Sequence, residues 1–374
     1  MQQKSDTPIH SLAAHHYTDA EIFNQELTGL LSRTWQFAGH SSQLENAGDY
    51  FAFEIAGQNL FCVKTREGDI RTYYNVCQHR AHELVSGSGN AKTITCPYHS
   101  WTYDLKGQLQ SAPNARVVVG FDQSQICLNE VRTELFGGFI FVNLNNDAQA
   151  MDTWFTDVRE QLSSFVPQLD RLKPIRWIDV EEKCNWKVSI ENYSECYHCQ
   201  LNHKTFSTGI IKPGSYDIQP QNYCLRHTTE CQNLDSMSYP VDINANDFAG
   251  EYSSWFLWPA FSFQVYPGNV LNTYHWQPLA VDRVRVWRGW YTVDGMASTV
   301  IDDLARQDRE TTVAEDIRLV EAVQRGMNSR GYRPGPLIID PLGGLNSEHS
   351  IRILQEWMRS GTNEPDKPGN TESD

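Results

Sequence analysis

The sequence predicts an α+β chain in which a small all-β domain precedes a larger domain built on a curved antiparallel sheet packed by helices. Three observations carry this. Short alternating segments bounded by Gly, Asn or Asp crowd residues 38–148, and β-rich aromatic runs fill residues 205–300. Helical spacing of apolar residues recurs near the start, at 150–172, at 186–203 and at 298–329. The boundaries expected from these patterns are 1–37 for an N-terminal helix that packs on the larger domain, 38–148 for the all-β domain and 149–374 for the larger one. A chain of 374 residues is long enough to bury two cores.

In chain order, residues 1–16 read as disordered or loosely docked. Ile22, Leu27, Leu30, Leu31 and Trp35 then mark a helix from Asp19 to Trp35, with Thr18 or Asp19 as its N-cap. Strands follow at Asp49–Ile55, Asn59–Lys64, Ile70–Val76, Thr93–Cys96, Trp101–Asp104 and Leu135–Leu144. Turns such as Arg66-Glu67-Gly68-Asp69 separate them. Trp154, Val158, Leu162 and Phe165 are helically spaced, Pro167 and Pro174 break that run, and Arg176–Lys183 reads as a strand. Trp186–His203 reads as a helix, and Ser254–Trp258, Phe261–Tyr266, Val270–Gln277 and Val284–Thr292 as strands of the curved sheet. A long helix covers Ser298–Ser329, ended by Gly331 and Pro334, and Thr362–Asp374 is polar and frayed. There is no internal repeat.

The net charge of −15 argues against nucleic acid and mildly favours a cationic small molecule or a basic protein partner, although solubility alone accounts for it as well. No run approaches the roughly 20 apolar residues of a membrane span, and the opening Met-Gln-Gln-Lys-Ser-Asp lacks the apolar core of a signal peptide. Nine scattered cysteines make no disulfide framework, so the expected compartment is the cytoplasm.

Two Cys/His pairs, Cys77-x-His79 and Cys96-x2-His99, stand sixteen residues apart, the length of a hairpin excursion. Two thiolates and two imidazoles suit tetrahedral zinc, and they also suit a Rieske [2Fe–2S] centre, where two His replace two Cys on one iron. The order Cys, His, Cys, His with unequal spacings favours the iron–sulfur centre, since zinc fingers more often run two Cys and then two His. Gly87, Gly89 and Gly107 permit tight turns, and Ser100 and Tyr98 are candidate hydrogen-bond donors to the cluster.

A second donor set lies downstream. Glu195 and His198 share a helix face, whereas His198 and His203 stand ~140° apart on a regular helix and meet only if it ends or bulges between them. Cys196 and Cys199 leave two further readings open, a zinc knuckle or inert buried thiols. Far along the chain, Asp316 falls within an apolar stripe of Val313, Ile317, Val320, Val323 and Met327, while Glu315, Arg318 and Glu321 point away to solvent. A carboxylate on an apolar face is costly unless paired or ligated, by a buried salt bridge or by a metal. His198, His203 and Asp316 together make a two-His, one-carboxylate triad that leaves positions open on Fe(II) for O2.

Three stretches carry a family resemblance. They are the two Cys/His loops, Asn185-Trp186-Lys187 ahead of Glu195-x2-His198-x4-His203, and the late Glu315-Asp316-x4-Glu321 helix. Over nearly the whole chain this pattern is similar to the large subunits of Rieske non-haem iron oxygenases, although Gln78 and Ala81 replace residues those proteins often carry. Glu195-Cys-Tyr-His-Cys199, the run Glu315–Gly326 and Ser329-Arg-Gly-Tyr332 resemble the carnitine- and betaine-acting branch, in which Glu stands where most of the family has Asp.

The resemblance implies a Rieske domain followed by a catalytic domain of the helix-grip type. It implies Cys77, His79, Cys96 and His99 on the cluster, His198, His203 and Asp316 on the mononuclear iron, and Glu195 as the electron bridge between subunits of a ring-shaped homotrimer. A separate reductase drawing on NAD(P)H supplies electrons. The implied reaction hydroxylates a C–H bond next to nitrogen in a betaine- or carnitine-like quaternary ammonium or N-methyl compound, giving demethylation or C–N cleavage. Trp255, Phe256, Trp258, Phe261, Phe263, Tyr266, Tyr274 and Trp276, with Tyr193 and Tyr197, suit cation–π binding of such a substrate. Two alternatives stand beside it: ring hydroxylation of an aromatic acid, and a non-catalytic iron–sulfur or zinc protein.

Overall fold

The computed structural model describes residues 8–360. The chain divides into two compact units: Leu31–Met151, and the segments on either side of it taken together.

The first unit is all β. Its strands are β1 Gln36–His40, β2 Asp49–Ile55, β3 Gln58–Lys64, β4 Ile70–Tyr74, β5 Ser88–Asn90, β6 Ile94–Thr95, β7 Thr102–Tyr103, β8 Leu109–Ser111, β9 Glu130–Phe136 and β10 Phe139–Asn143. Seven form one sheet in the order β1-β10-β9-β4-β3-β2-β5, and β6-β7-β8 form a small second sheet. Phe61, Val63, Tyr73, Ile94, Tyr103 and Leu105 pack between them, and Cys77 and Cys96 belong to the same buried cluster. The expected strand Leu135–Leu144 is instead a hairpin, because Gly137 takes the left-handed backbone (φ 56°) and reverses the chain.

The second unit holds the antiparallel sheet of β11 Leu172–Glu182, β12 Asp217–Gln221, β13 Cys224–Glu230, β14 Glu251–Leu257, β15 Phe261–Tyr266, β16 Val270–Ala280 and β17 Arg283–Val293. The order β11-β17-β16-β15-β14-β13-β12 is a meander that β11 closes at the far edge. Bulges in β11 at Pro174/Arg176 and in β16 at Pro278/Ala280 bend it.

The helices are α1 His15–Thr18, α2 Ala20–Glu26, α3 Met151–Trp154, α4 Val158–Phe165, α5 Trp186–Tyr193, α6 Cys199–Asn202, α7 Lys204–Gly209, α8 Thr299–Asp308, α9 Ala314–Met327 and α10 His349–Ser360. None is long and apolar enough to cross a membrane. Asp19 caps α2 by accepting from Glu21 N–H at 2.7 Å. That helix passes into a π turn at Leu27–Leu31 and stops before Trp35, earlier than the sequence suggests. Within the expected loose start, Leu12 is buried and Ser11 N–H donates to Gly335 C=O at 2.9 Å, so residues 8–16 are docked. The frayed tail expected at Thr362–Asp374 lies outside the described residues. The helix expected over Ser298–Ser329 is α8 and α9 joined through a π turn, Arg309–Val313.

Helix α5 crosses β16 and β17 and packs on α9. Asn185 sets its start: Oδ1 accepts from Lys187 N–H at 3.0 Å, and Asn185 N–H donates to Gln324 Oε1 of α9 at 2.8 Å. Beneath it lies a buried polar layer, with Lys187 Nζ on Glu26 at 2.5 Å and Tyr17 OH donating to Glu191 at 2.8 Å. The apolar stripe expected on α9 holds only in its first half, since Val323 is exposed and Gln324 is buried in its place.

Candidate active site

In the β unit, two loops of similar build present the first donor set. Ala81 N–H closes on Cys77 C=O and Ser100 N–H on Cys96 C=O, both at 3.0 Å, and each closing residue is left-handed (φ 55° and 58°). Both thiols are buried, at 3% and 2% exposure, while His79 is exposed and His99 half-buried. The imidazole centroids lie 4.6 Å apart, and Trp101 stacks on His79 at 4.8 Å. Inner sulfurs and outer imidazoles fit a [2Fe–2S] centre with one iron toward the core and one toward the surface. Tyr103, which the sequence reading passed over, lies 3.4 Å from Cys77 Sγ and accepts from Gln78 N–H at 3.0 Å.

In the other unit, the expected single helix Trp186–His203 breaks after Tyr193, and the turn Ser194–His198 leads into α6. The break removes the ~140° separation of the two histidines. His198 Nε2 and His203 Nε2 come to 2.9 Å, and Asp316 Oδ1 lies 3.0 Å from His203 Nε2 and 3.6 Å from His198 Nε2. Donors on one face of an octahedral ion, with bonds of about 2.1 Å at right angles, stand about 3.0 Å apart. The three atoms therefore fit a facial set around one ion. Burial alone raises the Asp316 carboxyl, but hydrogen bonds from His198 and His203 outweigh it and hold it at about 2. Burial works to lower His198, yet Asp316 and Glu195 lift it to about 10. The anionic surroundings that attract a proton here attract a metal cation by the same force.

The surrounding carboxylates and amides orient the donors. Glu195 Oε1 bonds His198 Nδ1, and its Oε2 accepts from Tyr197 N–H and from His198 N–H at 3.3 Å. Asn192 Nδ2 donates to Asp316 Oδ1 at 2.8 Å. Glu315 does not point away as expected: its Oε2 lies 2.8 Å from His203 Nδ1. Both histidines thus carry a carboxylate on the ring nitrogen opposite the donor, the arrangement that fixes tautomer and ring plane. Glu321 also departs from expectation, accepting from Lys183 N–H at 3.2 Å. Cys199 lies within 4.8 Å of the imidazole donors, but its sulfur is bonded to Cys196. That disulfide removes both earlier readings, zinc knuckle and free thiols, because neither sulfur is a thiolate.

A cavity opens beside the triad, lined by Tyr193, Tyr216, Tyr252, Tyr266 and Tyr274 among others. Of the aromatics singled out from sequence, Tyr193, Tyr266 and Tyr274 line it; Tyr197 is exposed, and Tyr216 and Tyr252 were missed. The pleat decides part of this: Tyr252 of β14 and Tyr266 of β15 face one side, whereas Trp255, Phe261 and Phe263 face the other, and Phe256 and Trp276 share the cavity face without lining the cavity.

Comparison with known proteins agrees with this geometry. Residues 34–122 match the Rieske [2Fe-2S] domain, and residues 169–364 match the ring hydroxylating alpha subunit (catalytic domain). The chain is 32% identical to the carnitine monooxygenase oxygenase subunit of Acinetobacter baumannii, over 91% of this chain and 92% of that protein. It is 26% identical to the chloroplastic choline monooxygenase of Beta vulgaris, over 89% of this chain and 74% of that one. The crystal structure of the quaternary ammonium Rieske monooxygenase CntA with L-carnitine superposes with a TM-score of 0.83, at 28% identity, over 95% of this chain and 96% of that one. A cluster domain, a converging triad and these relatives agree: the chain belongs to the Rieske non-haem iron oxygenases, as an oxygenase subunit that uses one [2Fe–2S] cluster and one mononuclear iron.

Proposed function

We propose that this subunit hydroxylates a C–H bond next to nitrogen in a quaternary ammonium or N-methyl compound, with electrons from a separate NAD(P)H-dependent reductase. Cys77, His79, Cys96 and His99 hold the cluster, and His198, His203 and Asp316 hold the iron. The cluster domain spans about 38–148 and the catalytic domain starts at about 149, with α1 ahead of both packing on α9 of the latter. The observation that carries the reading is the convergence of the three donors at the mouth of a tyrosine-lined cavity. Aromatic faces attract an ammonium group with ~0.5–2 kcal/mol per contact. Relatives named as carnitine, choline and glycine betaine monooxygenases support the same substrate class.

The bound iron supplies O2 activation and the cluster supplies single electrons. The protein's part is positioning. Glu195 and Glu315 aim the imidazoles, Asn192 aims Asp316, and the tyrosines hold the cation with one of its C–H bonds at the triad. Hydroxylation there yields a carbinol that loses its hydroxyl proton and releases an aldehyde and the free amine.

Electrons pass between subunits of a homotrimer in this reading, through Glu195. Its support is the exposed apolar surface of Tyr98 and Val117–Val119 in the cluster unit, that of Tyr197 and Leu201 beside the triad, and the inter-subunit electron transfer named for CntA. A cytoplasmic setting is supported by the iron–sulfur site and by five further cysteines outside any disulfide. The test is a panel of betaines, carnitine, choline and aromatic acids, with a surrogate reductase and product identification by mass spectrometry. Substrate-dependent NADH oxidation with aldehyde release is expected for the ammonium compounds, and a diol or phenol from the aromatic acids overturns the reading.

A further inference from the structure

The chemistry of the cavity floor narrows the substrate further, on the reading that it is an ammonium compound. Three neighbouring strands place His227, Ser254 and Gln264 in one cross-strand row: His227 pairs with Ser254, and Ser254 with Gln264. Directly paired residues share a face of the sheet, and all three line the cavity. With strands about 4.8 Å apart, the two longer side chains flank the short serine, and the Tyr193 ring lies beside them.

His227 and Gln264 are each 4% exposed, and His227 Nε2 and Gln264 Oε1 are buried polar atoms with no partner in the protein. The hydrogen-bond chain around them defines their roles. Ser262 Oγ–H donates to Trp255 C=O at 3.0 Å, so the Tyr193 hydroxyl, 2.7 Å away, donates to Ser262. Tyr193 oxygen then accepts from Gln264 Nε2 at 2.8 Å, which leaves Gln264 Oε1 as a fixed acceptor. Burial holds the His227 imidazole neutral, down at about 3, with the nearby His349 adding to the effect. Tyr216 OH lies 3.1 Å from its Nδ1. The phenol is the better donor of that pair, so the single ring proton sits on Nε2. The floor therefore offers one neutral donor and one neutral acceptor.

Glu195, Asp308 and Asp316 line the cavity beside the two histidines of the triad, and no Lys or Arg lines it among the described residues. The nearest guanidinium, Arg288, is taken up by Asp308 at 2.9 Å. A carboxylate brought to this floor gains the one donor of His227, but it faces the fixed acceptor oxygen of Gln264 with no Lys or Arg beside it, and it loses its water. An alcohol fits both atoms, since its oxygen accepts from His227 while its proton goes to Gln264.

We infer that His227 and Gln264 are specificity-determining residues that hold a neutral hydroxyl, so that the substrate is a monocationic amino alcohol carrying an N-alkylated ammonium group rather than a carboxylate-bearing betaine. The hydroxyl meets His227 Nε2 and Gln264 Oε1, and the ammonium group lies along the tyrosines.

The test is anaerobic calorimetric titration of the holoenzyme with choline, its hydroxyl-free isostere n-propyltrimethylammonium, glycine betaine and L-carnitine, repeated on His227→Leu and Gln264→Leu. Choline is expected to bind at least 10-fold more tightly than each of the other three in the wild type. The gap to the propyl isostere is expected to shrink to about 2-fold in either variant that folds. A site built to hydrogen-bond a hydroxyl discriminates strongly against the analogue that lacks it. Binding of betaine or carnitine as tight as that of choline, or equal binding of choline and the isostere, overturns this inference and leaves the ammonium reading standing. A cavity that takes none of the four but binds aromatic acids overturns both.

Discussion

Glu315 and Asp316 are adjacent, and they divide two tasks that the α-helix sets ~100° apart: Asp316 faces the triad while the longer Glu315 reaches His203 Nδ1 from the side. Asp316 was legible because a carboxylate on an apolar stripe is anomalous. Glu315 was not, since its partner arrives from another helix 112 positions away in sequence. Glu315→Gln keeps the shape and removes the charge that sharpens imidazole basicity. A 10- to 100-fold loss of iron affinity is expected, read by chelator competition, with the cluster spectrum unchanged. Tyr103 is the counterpart at the cluster. Its hydroxyl lies 3.4 Å from Cys77 Sγ, and hydrogen bonds to cluster sulfurs raise reduction potentials. Tyr103→Phe is expected to lower the potential by on the order of tens of millivolts in protein-film voltammetry, and an unchanged potential removes Tyr103 from that role.

Helix α5 explains why the central motif was the hardest to place. Read as one helix to His203, it cannot bring two histidines five residues apart to one ion; broken at Ser194, it can. Local propensity does not mark that break. It is enforced by the anchors beneath the helix, Asn185 on Gln324 at one end and Asn192 on Asp316 at the other. The same underside carries Glu191, whose carboxyl burial lifts from 4.5 to about 7 against hydrogen bonds from Tyr17 and Gln355. The folded state therefore holds this proton more tightly than the unfolded chain does. The stabilisation is full below about pH 4.5 and is lost as the pH rises through 7. Glu191→Gln, which cannot ionise, is expected to flatten the fall in Tm between pH 5 and 8. At pH 8 it should stabilise the fold by up to about 3 kcal/mol, measured by scanning calorimetry. Glu182, lifted by burial to about 7 as well, keeps part of the slope.

At the scale of the molecule, the two metal centres impose a stoichiometry of about three irons per chain, read by elemental analysis. Glu195 links that stoichiometry to turnover. It lies outside the converging triad and bonds the Nδ1 of His198. Glu195→Gln is expected to retain all the iron and the cluster spectrum, yet to lose nearly all substrate-dependent NADH oxidation; full activity with full iron defeats the bridging role.

The sequence by itself picked out the side chains able to donate at two centres, and it determined the all-β unit ahead of the larger sheet and the family. Metal chemistry demands particular side chains at short spacings, and short spacings survive in one dimension. Only the tertiary structure decided which groups orient those donors, that Cys196 and Cys199 are joined, and which tyrosines line the cavity. These depend on strand register, on a helix that stops early and on contacts between residues more than a hundred positions apart. No local period records such contacts, because the free energy that selects them comes from burying one element against another.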